Sequence, residues 1–275
     1  MTAARLLLIP VAAGVVLLSH AGVRAAGLEV EPYKLVRSLQ RIQDEVAGGD
    51  KAALGMQLEL SKLVDKGFHG LSPEEFADPK TAKALISYSM LGGNPQTLES
   101  HLADIGEPDS ELVHLGLAVL SYQKGASQNA AAKLKDVDPM RIGGMFGASL
   151  ALIRGLITED DAKARGDFDM ARLLAPGTLI EEAALRRLMS IHRRLEDPAA
   201  FLRVASRYAR RFVASPYALQ YAQEFTSGVL AMSDSVDVEE VVNIIEFLPQ
   251  PYREALTLRL LHAATLEGKT DIVGP

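Results

Sequence analysis

The chain contains no cysteine and no tryptophan, and aromatic residues make up only 5% of its 275 positions. The missing cysteines exclude a disulfide framework, a thiolate zinc site, an iron–sulfur cluster and a cysteine nucleophile. They also exclude a lipoprotein anchor, which needs a cysteine at the cleavage point. With so few aromatics, the core has to be built from leucine, alanine, valine and isoleucine. That composition suits helices better than a β-sandwich. An excess of positive charge is missing too. The formal net charge is -6, so the chain does not read as a nucleic-acid binder. Charged residues amount to 23%, close to the globular norm, which excludes wholesale disorder.

What is present begins with an address. Arg5 precedes an unbroken apolar or small run from Leu6 to Leu18, and Val23, Arg24 and Ala25 fit a small-x-small cleavage pattern. This is the anatomy of a secretory signal peptide, assigned to residues 1–25. The run is shorter than the roughly 20 apolar residues a membrane span requires, and it contains Pro10. Cleavage removes Arg5 and Arg24 and takes the charge from -6 to -8. No later stretch is apolar enough to span a bilayer, so the mature protein is expected outside the cytoplasm with no membrane span.

Residues 26–275 read as one all-α domain. Leu35, Leu39, Ile42 and Val46 share one helical face, and Gly48-Gly49-Asp50 ends that helix. Met56, Leu60 and Leu63 repeat the spacing. Ser72-Pro73-Glu74-Glu75 forms a helix start with a capping box, and Thr178 with Glu181 forms a second. Leu112, Leu115, Val119 and Tyr122 make another stripe, as do Phe201, Ala205, Tyr208 and Phe212. Pro108, Pro139, Pro176, Pro216 and Pro251 recur at intervals of 31, 37, 40 and 35 residues, with Asp138 and Ser215 as plausible caps. That period predicts irregular helical-hairpin repeats, a tetratricopeptide-like α-solenoid. An irregular helical bundle is the other arrangement compatible with the pattern. The run Thr270 to Pro275 looks like a helix that starts and stops, so the repeat domain is expected to be incomplete at its C-terminus.

Searching for chemistry yields no catalytic, cofactor or metal residue. His20, His69, His101, His114, His192 and His262 form no H-x-x-x-H pair. His192 shares a stripe with Leu185, Leu188 and Leu195 and reads as a hydrogen-bonded structural histidine. Gly143, Gly144 and Gly147 match no nucleotide-binding loop and read as small residues for close packing within a helix. The acid pairs Glu74-Glu75, Asp160-Asp161, Glu181-Glu182 and Glu239-Glu240 stand at helix starts, where the dipole favours negative charge.

The outstanding surface feature is a ridge of arginines. Arg186, Arg187, Arg193 and Arg194 lie on one helix, and Arg203, Arg207, Arg210 and Arg211 on the next. Both sets avoid the apolar stripes, so two adjacent helices are expected to merge them into one basic patch for an acidic protein partner. A solvated face paired with neighbouring acids such as Asp234, Asp237, Glu239, Glu240 and Glu246 is the alternative.

Several runs carry a family likeness. They are EPYKLVRSLQRIQD at Glu31 to Asp44, GGDKAA at Gly48 to Ala53, and ALIRG at Ala151 to Gly155. RLLAPGT at Arg172 to Thr178 leads into EEAALRR at Glu181 to Arg187. In these segments and their order, the chain resembles the motility protein C (MotC) family. The resemblance implies a non-catalytic periplasmic protein required for flagellar motor rotation. It implies action through the periplasmic part of the stator protein MotB, with no cofactor. Two other readings stay open: a periplasmic cell-wall glycosidase on a helical-repeat body, and a general envelope-assembly scaffold. The glycosidase reading requires a carboxylate of raised pKa in a deep cleft.

Overall fold

The computed structural model describes residues 31–269; the expected signal segment at residues 1–25 and the interrupted helix at Thr270 to Pro275 lie outside the described residues. The described residues form fifteen α-helices and no strand. The first seven are α1 (Pro32–Ala47), α2 (Lys51–His69), α3 (Pro73–Phe76), α4 (Pro79–Met90), α5 (Pro95–His101), α6 (Glu111–Gln123) and α7 (Ser127–Leu134). Then come α8 (Pro139–Ile142), α9 (Gly144–Ile157), α10 (Asp161–Leu174) and α11 (Leu179–Arg194). The last four are α12 (Pro198–Phe212), α13 (Ala218–Ala231), α14 (Val238–Phe247) and α15 (Gln250–Glu267).

Short polar residues set the starts. Asp50, Asp78, Asn94, Ser110, Asp138, Asp160, Thr178, Asp197 and Asp237 each accept a hydrogen bond from a first-turn N–H of the helix that follows. Each such cap contributes about 1 kcal/mol. The capping box at Ser72 forms, with the Ser72 N–H donating to Glu75 Oε2 at 2.8 Å, but it opens a single turn. Ser215 does not cap. It lies before Pro216 in a turn, and the helix begins only at Ala218.

Consecutive helices pair, as in α1 with α2, α6 with α7, α9 with α10 and α11 with α12. Alternate helices α1, α4, α6, α9, α11, α13 and α15 also touch in a row, each against the next. The five recurrent prolines stand at or just before α6, α8, α11, α13 and α15. The all-α class is therefore plain, whereas a regular tetratricopeptide repeat is not established. Helix lengths run from 4 to 19 residues, and α1 comes back to touch α11.

Two main apolar clusters fill the interior, one from α1 to α9 and one chiefly from α9 to α15. The stripe Phe201, Ala205, Tyr208 and Phe212 is buried throughout. Tyr208 stacks on Tyr221 with ring centroids 4.4 Å apart and planes 5° from parallel. The α2 stripe expected from Met56, Leu60 and Leu63 is turned away. Met56 and Leu63 are exposed, Leu60 is half-buried, and Ala53, Val64 and Phe68 face the core. Gly143 separates α8 from α9 and Gly144 is the first residue of α9, both with positive φ, so neither lies in helix interior. Gly147 alone meets the close-packing expectation, because a side chain there would run into the Pro139 carbonyl.

Candidate partner-binding site

The sequence nominates eight arginines, and the structure divides them among different neighbours. Arg194 forms a fork on Asp161 of α10, with Nε to Oδ2 at 2.8 Å and Nη2 to Oδ1 at 2.5 Å. Arg187 borders the same small pocket as that pair. Arg193 points to Glu224 of α13, with Nε 3.6 Å from Oε2. Arg210 rests over the Phe247 ring on α14 at 5.3 Å. Arg211 donates to Glu181 at 2.8 Å. Arg186 turns inward under the Tyr217 ring, at 4.5 Å from its centroid. Arg203 and Arg207 remain together on α12, where they meet two arginines of α10.

The inward turn of Arg186 has a cause that helix-start reasoning misses. Glu182 sits in the first turn of α11 yet is fully buried. Its Oε1 accepts from Arg186 Nε at 2.9 Å, Tyr208 OH at 2.7 Å and Ser215 Oγ at 3.3 Å. Its Oε2 accepts from Arg186 Nη2 at 3.0 Å. Every lone-pair direction of consequence is taken, so the charge is compensated where it is buried. Burial first, and Glu182 second, push the Tyr208 hydroxyl far above the usual tyrosine range. Glu181 is buried as well, with Oε2 accepting from the Gly177 N–H at 2.5 Å and from Arg211. The acid pair thus ties α11 to α12 and to the turn before α13.

Between α10 and α12 lies an open hollow of about 310 Å³. Arg165, Asp169 and Arg172 line it from one side, and Asp197, Arg203 and Arg207 from the other. His192 borders it and is buried, but not hydrogen-bonded as expected. Its Nδ1 has no hydrogen-bond partner, and Asp197 Oδ2 stands 3.8 Å away. Burial lowers the His192 pKa below the usual histidine value, aided by Arg165 and Arg203 and opposed by Asp197 and Asp169.

A second cavity of about 240 Å³ lies among α1, α4, α6, α9 and α11. Its wall is largely apolar, and Asp44 is the single carboxylate in it. Burial raises the Asp44 pKa, against the Leu179 N–H, which donates to Oδ1 at 3.0 Å and pulls it down. A raised carboxyl in a cavity is what a glycosidase needs, but hydrolysis of this kind uses a pair of carboxyl groups. Asp44 has no second acid on the wall, and it satisfies the first turn of α11. Among the described residues, no group of three or more His, Asp or Glu is placed to hold a metal ion. Nor is any described helix long and apolar enough to cross a membrane.

The family model for "Chemotaxis protein MotC" matches residues 1–274. A curated relative of that name from Rhizobium meliloti (strain 1021) is 36% identical over 251 residues, covering 89% of this chain and 57% of the relative. The chain thus spans little more than half the length of that relative. No solved structure matches. On the match along almost its whole length, this all-α chain belongs to the MotC family of chemotaxis proteins.

Proposed function

We propose that the chain is a non-catalytic periplasmic protein required for flagellar motor rotation, and that it acts by binding the periplasmic part of the stator protein MotB. The observation that carries this reading is the family match over residues 1–274. The export-type N-terminus supports the compartment, and Arg203 and Arg207 of α12 supply donors for an acidic partner. The helices pack in pairs, and the outer faces of such pairs can hold a protein partner. An effect on rotation would come from binding free energy that favours one stator conformation or position.

Deletion of the gene and complementation with the exported chain tests the role. Loss of swimming that the chain restores is the expected result; normal swimming in the deletion strain refutes it. Crosslinking in the periplasm should recover the stator protein, and recovery only of envelope-assembly proteins would favour the scaffold reading.

A further inference from the structure

We infer that the hollow between α10 and α12 is a binding site for the clustered carboxylates of an acidic peptide segment. The inference rests on the reading that the chain works by binding a protein, and it narrows that reading to one place. Four guanidiniums face two carboxylates there. Both carboxylates are already engaged. Asp169 accepts from Arg172 Nε at 2.7 Å, and Asp197 caps α12 by accepting from the Ala200 N–H at 3.0 Å. Among the described residues, no carboxylate lies within ion-pair distance of Arg165, Arg203 or Arg207. The wall therefore presents a surplus of positive charge with open donors.

His192 borders the same hollow. Its Nδ1 is enclosed without a hydrogen-bond partner, and 3.8 Å to Asp197 is beyond hydrogen-bond reach. A buried ring nitrogen left so is uncommon and asks for a partner. That nitrogen is closed to solvent, so a carboxylate held among the arginines acts on the bordering ring through its charge.

Size and donor type separate a peptide from a free oxyanion. The hollow holds about ten water volumes, more than one carboxylate or phosphate needs. Its donors are arginine side chains from two helices, since Asp197 occupies the first turn of α12. Such arms adapt to carboxylates spaced along a peptide, each gripped by a planar fork. A bound carboxylate also offsets the burial of His192 and the push of Arg165 and Arg203, adding to Asp169 and Asp197. Binding then favours the protonated ring, so affinity rises as the pH is lowered.

The test is fluorescence anisotropy of a labelled hexaglutamate peptide against the exported chain at low salt. The double variant R203Q/R207Q should bind about tenfold more weakly or worse. Arg165→Gln, on the opposite wall, should weaken binding in the same direction. R37Q/R253Q, at exposed positions on α1 and α15 outside the hollow, should stay within about threefold of the unaltered chain. Equal weakening by both double variants, or no binding by the unaltered chain, overturns the inference. So does displacement by inorganic phosphate at the carboxylate concentration of the peptide. Unchanged peptide binding by R203Q/R207Q, in a strain whose swimming depends on the chain, sinks the hollow alone. Normal swimming without the chain sinks the motility reading and leaves the titration to judge the hollow.

Discussion

Glu182 shows how a residue can satisfy a local rule and serve a distant purpose. Its charge suits the first turn of α11, which is all the sequence reveals, yet its partners lie 4, 26 and 33 residues onward. Removing it leaves the Tyr208 hydroxyl without its acceptor and the Arg186 guanidinium with Gln220 Oε1 alone. Glu182→Ala is expected to cost about 3–5 kcal/mol, the scale for breaking a buried charged pair. Urea denaturation followed by circular dichroism measures it. Glu182→Gln, which keeps an acceptor oxygen, should cost clearly less; equal losses would mean that the network is not what holds these helices.

At the scale of the element, local chemistry decides some features and packing decides others. The α12 stripe was legible because its apolar residues occupy one face and arginines the other. The starts at Asp138 and Thr178 were legible because caps act within a few residues. The α2 register was not legible, because Leu54, Met56, Leu58, Leu60 and Leu63 spread apolar side chains over several faces. Which face is buried is then settled by α1, α4 and α5, not by α2 itself. Val64→Ala should therefore cost about 2 kcal/mol or more, whereas Met56→Ser should stay within about 0.5 kcal/mol. Thermal unfolding of the two variants distinguishes the observed face from the expected one. The hollow escaped the sequence for a related reason. Half of its arginines lie on α10, and nothing along the chain says that α10 and α12 share a groove.

At the scale of the whole molecule, the return of α1 to α11 is the least local feature. Asp44 accepts from the Leu179 N–H across 135 residues. Beside it, Gly49 at φ +99° lies against Ala214, where a Cβ would come within 2.7 Å of the Ala214 carbonyl oxygen. Gly49→Ala faces both left-handed strain and this collision, with a cost of about 1–3 kcal/mol. Gly125→Ala meets the strain at φ +75° but open space. A larger drop in Tm for Gly49→Ala than for Gly125→Ala is expected, and equal drops would show that the contact with Ala214 contributes nothing.

The same contact has a mechanical consequence. A row of helix pairs held only by neighbours is a spring, and its softest deformation is a change of pitch that each joint shares. Fastening α1 to α11 turns that stretch into a closed link, in which no joint yields without straining the clasp.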